Sequence, residues 1–271
     1  MFSAQRLGFL GSGNMAEALI RGIIAKNLWP KEHIIASDIS STRLAYIDAQ
    51  LGVATTPDNR QVIASSDMII VATKPAQVPE VLSGVADAVT ADKLIVSIAA
   101  GVTLTTIQSP LAKGIPVIRA MPNTPALVLA GMTCLSAGTS ADESHLAAAL
   151  KVFSGVGEAI VVDETHLDAV TALSGSGPAY LFLVIEALSD AGVRAGLPRK
   201  VAEKLSAQTV LGAARMVLET GRHPGELKDM VASPAGTTIE GLAVLESRGI
   251  RGAFIEAVDA AYRRARQLGG K

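Results

Sequence analysis

The chain has 271 residues, a formal net charge of −1 at pH 7, 49% hydrophobic and 18% charged side chains, and 3% aromatic residues. That balance excludes a disordered chain and leaves no electrostatic footprint for nucleic acid or an anionic membrane. Base-stacking platforms are excluded too, and the length suits about two domains with a sizeable core.

The first predicted strand, over 7–10, runs into Gly11-Ser12-Gly13-Asn14-Met15-Ala16. A helix is expected from there over 14–26, because Met15, Leu19 and Ile23 fall four apart and Ile20 and Ile24 widen the stripe. Strand, glycine turn and helix together fit a dinucleotide-binding fingerprint. Gly11 permits the tight turn, Gly13 admits the pyrophosphate, and small Ala16 lets helix and strand pack closely. A second strand over 33–37 ends at Asp38. An acid there accepts the ribose hydroxyls of NAD and repels a 2′-phosphate, whereas Ser37, Ser40, Ser41 and Arg43 suit that phosphate; Asp38 also fits a helix cap. Local chemistry leaves the cofactor choice open.

Further strands are expected over 68–72, 94–99, 116–120, 132–137 and 158–162, with Pro75 and Pro79 opening a helix and another over 142–153. Most of these strands are continuous apolar runs, as in a parallel sheet covered on both faces. The single cysteine, Cys134, excludes an intramolecular disulfide and reads as buried and structural in a reducing compartment. The N-terminus does not resemble a secretory signal, and no uninterrupted apolar run reaches the roughly 18 residues of a membrane helix. The expectation is a cytoplasmic protein.

In an open α/β sheet the ligand lies outside the carboxyl ends of the strands. Those ends carry Ala72-Thr73-Lys74-Pro75, Ser97-Ile98-Ala99-Ala100-Gly101 and Arg119-Ala120-Met121-Pro122-Asn123-Thr124-Pro125. Small residues there suit a flat ring, Asn123 or Thr124 a hydrogen bond to ligand, and each stretch also reads as ordinary turn chemistry. Lys74 has two readings, a catalytic acid or a solvated lysine at a helix entry.

Beyond Glu164 the pattern is helical, near 165–173, 178–195, 198–219, 224–232, 238–247 and 251–268. The helix holding Val201, Leu205, Leu211 and Leu218 is apolar on more than one side, which points to a core completed by dimerisation, with a compact monomeric bundle as the alternative. Thr171-Ala172-Leu173-Ser174-Gly175-Ser176-Gly177-Pro178 is expected to join two helices. In Ser233-Pro234-Ala235-Gly236-Thr237-Thr238-Ile239-Glu240, Thr237 and Glu240 form a capping box. Free N–H groups near Gly236, Thr237 and Thr238 suit a carboxylate, or else serve a purely structural cap. The four histidines, His33, His145, His166 and His223, are scattered, and no metal is expected. These features describe an α/β protein with a Rossmann-like doubly wound sheet over 1–163 and an all-α substrate-binding and dimerisation domain over 164–271. Its expected chemistry is hydride transfer to a small substrate bearing a carboxylate.

Taken together, Gly8–Ala16, Val71–Pro75, Met121–Pro125, Leu173–Tyr180 and Ser233–Ile239 resemble pyrroline-5-carboxylate reductases over nearly the whole chain. The resemblance implies reduction of 1-pyrroline-5-carboxylate to L-proline, with NADPH as cofactor and NADH as the alternative. It implies that Ser233, Gly236, Thr237 and Thr238 hold the carboxylate, with Thr171 as proton donor near the imine nitrogen and Ser176 lining the pocket. Leu10, Gly11, Ser12, Gly13, Asn14, Met15, Asn59, Ala72, Thr73, Lys74, Pro75, Ala99 and Ala100 would hold the cofactor, with Asp38 beside it. It also implies a helical domain interlocked with a partner's in a homodimer, or a larger homo-oligomer built from it, with no nucleic-acid or membrane partner. Met230 stands where many members carry asparagine, and Asp38 where many carry serine or asparagine. The alternative is a reductase resembling 3-hydroxyacid dehydrogenases, but Gly175-Ser176-Gly177 is followed by Pro178-Ala179-Tyr180-Leu181, without that group's catalytic lysine. A nucleotide-binding protein without turnover is a third reading.

Overall fold

The computed structural model describes residues 2–270. Its contacts separate two units, Met1–Ser176 with Ala261–Lys271, and Gly177–Ala260.

The first unit is built on β1 (Leu7–Leu10), β2 (Ile34–Ser37), β3 (Ala54–Thr56), β4 (Met68–Val71), β5 (Leu94–Ser97), β6 (Val117–Met121), β7 (Gly131–Ala137) and β8 (Gly157–Val161). They lie in the order β3-β2-β1-β4-β5-β6-β7-β8. Every neighbouring pair is parallel except β6 with β7, an antiparallel pair in which Met121 faces Cys134. Helices α1 (Asn14–Ala25), α2 (Ser41–Leu51), α3 (Asn59–Ser65), α4 (Val78–Ser83), α5 (Leu104–Gln108), α6 (Glu143–Phe153) and α7 (Leu167–Val170) flank and follow these strands.

Side chains alternate across a strand, and the core divides accordingly. Phe9, Ile70 and Val96 pack on one face with Leu19, Ile23 and Phe153; Leu10, Ile69, Val71 and Ile95 pack on the other with Ile63 and Ile107. Both faces are dry, so β1, β4 and β5 are buried along their whole length and their sequences run apolar without alternation. β1 lies between β2 and β4, so strand order reverses there. This is the crevice where open α/β sheets take ligands. Gly11 N–H donates to the Ser37 carbonyl and Ala72 N–H to the Leu10 carbonyl, at 3.0 and 2.8 Å, bringing the loops after β1, β2 and β4 to one place.

Each strand read from sequence is present, with ends displaced by one or two residues, while β3 was not foreseen. Its three residues, Ala-Thr-Thr, form a short edge strand that carries no apolar run.

The second unit contains α8 (Gly177–Arg194), α9 (Arg199–Thr220), α10 (Pro224–Val231), α11 (Thr237–Ser247) and the first part of α12 (Ile250–Leu268). Its core is meagre. Among its described residues the buried apolar side chains are Ala202 and Leu227, whereas Phe182, Leu183 and Leu218 are 64%, 66% and 82% exposed. One helical stretch, Glu164–Arg194, is long and apolar enough by length and composition to cross a membrane, although residues such as Glu186 and Asp190 interrupt its apolar run. Exposed apolar side chains continued onto neighbouring α9 are the mark of a surface made for a protein partner.

Candidate active site

β1 delivers its chain into a left-handed turn. Gly11 has φ of 91°, and a Cβ on it would stand 3.0 Å from the Ala72 backbone; only glycine fits. Gly13 faces open space, with no heavy atom within 4 Å of where a Cβ would be. It is the N-cap of α1, and no side chain caps that helix, so the first N–H groups from Asn14 onward are open to an anion. Ala16 and Leu10 are fully buried beneath this cradle, and Met15 is half-buried. The backbone therefore fits a pyrophosphate.

Asp38, at the end of β2, latches the loop. Its Oδ2 accepts from Ser12 N–H at 3.0 Å and from Ser12 Oγ at 3.1 Å, and its Oδ1 accepts from Ser40 N–H at 2.9 Å. The α2 cap is Ser40, whose Oγ accepts from Arg43 N–H. The Arg43 side chain also bears on the loop, donating from Nε to the Ser12 carbonyl at 2.5 Å and from Nη2 to Glu17 Oε2 at 2.6 Å. Burial pushes the Glu17 carboxyl up, but hydrogen bonds from Arg21, Arg43 and Tyr46 outweigh it and hold the group below its usual range. Next to Asp38, Ile39 is 95% exposed, an apolar side chain presented to solvent at the crevice that sequence reasoning passed over.

The other loops converge on the same strand ends. Asn59 begins α3, and its Oδ1 accepts from Ser37 Oγ at 2.6 Å. Thr73 Oγ1 is buried without a hydrogen-bond partner, and Cγ2 of the same side chain lies 3.1 Å from where a Cβ on Gly11 would be. Lys74 is exposed and precedes a short 3₁₀ turn, Pro75–Gln77. After β5, Ala99 is buried and Ala100 exposed. Pro75, Ala100, Gly101 and Thr106 line a cleft of about 570 Å³ that Leu268 and Gly269 complete.

The segment holding Thr171 differs from a loop between two helices. α7 passes into a π turn, Thr171–Gly175, and then into α8 without an irregular link. Ser176 N–H reaches back five residues to the Thr171 carbonyl at 2.9 Å. The Thr171 hydroxyl donates to the Leu167 carbonyl at 2.7 Å, and Ser176 Oγ to the Thr171 carbonyl at 3.3 Å. Such turns are rare and cluster at functional sites. Two groups flank this one, of which sequence reasoning missed the first. Arg119 on β6, 2% exposed, meets Glu164 at 3.1 Å and Asp168 at 3.6 Å. Asn123, read from sequence as one of two residues able to meet a ligand or as turn chemistry, has its amide bonded to the protein. Its Oδ1 accepts from Met132 N–H at 2.9 Å, and its Nδ2 donates to the Ser174 carbonyl at 3.2 Å.

In the second unit, Ser233-Pro234-Ala235-Gly236 closes a turn through Gly236 N–H to the Ser233 carbonyl at 3.0 Å. Ala235 has φ of 55°, a left-handed value that strains a residue with a Cβ. The expected capping box is absent. Helix α11 starts one residue earlier than that motif requires, with Gly236 as N-cap and no side-chain cap bond. A Cβ on Gly236 would strike Ser233 Oγ at 2.2 Å, so glycine seats that hydroxyl at the helix end. Thr237 and Thr238 become the first two helical residues, and their N–H groups and hydroxyls are left for an anion. Met230 Sδ accepts from Arg222 Nη1 at 3.3 Å.

Comparison with known proteins adds independent findings. Residues 164–268 match the pyrroline-5-carboxylate reductase dimerisation family, and residues 6–101 the family described as NADP oxidoreductase, coenzyme F420-dependent. A pyrroline-5-carboxylate reductase of Methanosarcina acetivorans is 49% identical over 98% of this chain and 99% of its own. The solved pyrroline-5-carboxylate reductase of Coxiella burnetii is similar with a TM-score of 0.92 at 41% identity, over 97% of this chain and 98% of that one. A Plasmodium falciparum pyrroline carboxylate reductase solved with NADP bound is similar at 0.88 and 30% identity, with the same coverage.

Proposed function

The chain belongs to the pyrroline-5-carboxylate reductase family, and from that premise we propose how its residues carry the reaction. The enzyme reduces 1-pyrroline-5-carboxylate to L-proline, the last step of proline biosynthesis, using NAD(P)H. When bound, the dihydronicotinamide supplies the hydride that the carbon of the C=N bond accepts.

The chain's own residues bind and orient. Gly11, Ser12 and Gly13, with the open N-terminus of α1, hold the pyrophosphate; Asn14, Met15, Asn59, Ala72, Thr73, Lys74, Pro75, Ala99 and Ala100 complete the cofactor site, and Ile39 gives the adenine an apolar face. We place NADPH ahead of NADH because Ser40, Ser41 and Arg43 stand beside the end of β2, with Asp38 as the group that opposes it. The substrate carboxylate sits on the N–H groups of Thr237 and Thr238 and takes a further hydrogen bond from the Thr238 hydroxyl, with Ser233 and Gly236 shaping the turn. The observation that carries this assignment is the uncapped start of α11. A protonated cyclic imine is already electrophilic, so placement and charge stabilisation matter more than a strong base. Thr171 serves the ring nitrogen, and its hydroxyl leaves the Leu167 carbonyl to do so, an exchange between the two rotamers threonine uses in helices. Ser176 lines the substrate's surroundings.

The exposed apolar side chains of α8 and α9 form the interface of a homodimer, on which larger homo-oligomers build. The protein works in the cytoplasm, where its lone thiol stays reduced.

The test is a reductase assay with pyrroline-5-carboxylate and each cofactor in turn, on wild type and Thr238→Ala. Thr238→Ala is expected to raise KM for the substrate about tenfold, with a smaller effect on kcat. Unchanged substrate affinity would remove the Thr238 hydroxyl from the carboxylate site, and absence of turnover by folded wild-type protein would overturn the whole reading.

A further inference from the structure

We infer that Asn123 is a positioning residue of the reduction, its side-chain amide holding the π turn in the form that presents Thr171. The inference rests on the reading of Thr171 given above. It starts from a carbonyl without a helical partner. In an α-helix the Ser174 carbonyl would accept from the N–H four residues on, but that residue is Pro178, which has no N–H. The missing donor is supplied from 51 positions away by Asn123 Nδ2, at 3.2 Å from the Ser174 carbonyl and 3.3 Å from its Oγ. The other end of the same planar amide accepts Met132 N–H of β7 at 2.9 Å, so its orientation is fixed by the sheet.

The grip is two-sided. Ahead of Thr171, Arg119 holds Glu164 and Asp168. Behind it, Asn123 holds Ser174, and a Cβ on Gly175 would lie 2.7 Å from Met121 Cε. Arg119 and Met121 belong to β6, and Asn123 to the loop leaving it. A rigid strand thus fixes both ends of the five-residue turn that carries the threonine. A change of one residue in helical register rotates a side chain by about 100°, so a loosened turn aims the Thr171 hydroxyl elsewhere without unfolding the domain.

The experiment compares the kinetics of Asn123→Asp, Thr171→Val and the double variant, each with NAD(P)H and pyrroline-5-carboxylate. The aspartate keeps the acceptor for Met132 and loses the donor for Ser174. We expect kcat to fall about tenfold while KM for the cofactor stays within about twofold. The deficit should narrow as pH is lowered from about 8 towards about 5, because a protonated carboxyl regains an O–H to donate to Ser174. The double variant should be no slower than Thr171→Val alone, since both act through one hydroxyl. Wild-type kcat in Asn123→Asp, or losses that multiply in the double variant, would overturn the inference. Thr171→Val at the wild-type rate would instead remove the reading of Thr171 beneath it. Should the carboxylate prevent folding, Asn123→Ala replaces it and should show the same loss of kcat and the same lack of additivity, without recovery in acid.

Discussion

One oxygen of Asp38 accepts both the backbone N–H and the hydroxyl of Ser12, at 3.0 and 3.1 Å, so the acid at the end of β2 is a structural latch on the glycine loop. In the cofactor placement proposed above, its charge also opposes a 2′-phosphate. Asp38→Ser should therefore do two things: weaken both cofactors by freeing the loop, and move the ratio of kcat/KM towards NADPH by about tenfold through relief of repulsion. Steady-state kinetics with NADH and NADPH separates them. An unchanged ratio with weaker binding of both would leave Asp38 as a latch alone.

Glu17 works one step further out, holding Arg43 against the Ser12 carbonyl. Glu17→Gln should raise KM for the cofactor several-fold while leaving kcat near wild type. Because the folded carboxyl is held below its ordinary value, its contribution to stability is present above the unfolded value of 4.5 and is lost as pH falls through the lower folded value. Denaturant midpoints of wild type and variant should thus differ at neutral pH and converge in acid. A difference independent of pH would assign the effect to packing.

Arg119 is almost wholly buried against Glu164 and Asp168, and Glu164 also accepts Leu104 N–H at the start of α5. Arg119→Met removes the guanidinium and leaves the acids in place, at a cost of about 3–5 kcal/mol. Lysine at this position should recover only part of that, since a point charge does not reproduce the fork. Urea unfolding followed by circular dichroism measures both variants; a methionine variant as stable as wild type would show that the acids find other donors.

Cys134 is 4% exposed on β7, and burial pushes its thiol up from its ordinary value. The native protein should leave an aromatic disulfide reagent unreacted at neutral pH and release one equivalent once unfolded. Fast reaction in the folded state would place this strand near the surface.

The glycine cradle and most of the sheet were legible because their signals are local and periodic. An apolar run ending in Gly-x-Gly identifies strand and turn together. β3 was not, because Ala54–Thr56 carries no run of its own and pairs only with β2. The π turn read as a loop because Ser174-Gly175-Ser176-Gly177 is loop-like in composition; its helical state depends on Asn123, remote in sequence. At α11 the motif suggested Thr237 as cap, and the seating of Ser233 against Gly236 moved the helix start back by one residue. One missed signal was available. Arg119 sits inside Val117-Ile118-Arg119-Ala120, a run covered on both faces, so its charge had to be buried and had to find acids.

Helix α12 begins among the residues of the second unit and from Ala261 onward belongs to the first, where Leu268 and Gly269 close the cleft beside Pro75 and Gly101. The nucleotide-binding unit is therefore not a contiguous stretch of gene. A fragment stopped at Ser176 lacks a wall of that cleft, and swapping helical domains between relatives carries the wall across with them. Shuffled chimeras would inherit a foreign wall beside the loops that follow β4 and β5 unless the last ten or so codons are returned to the parent that supplied the sheet.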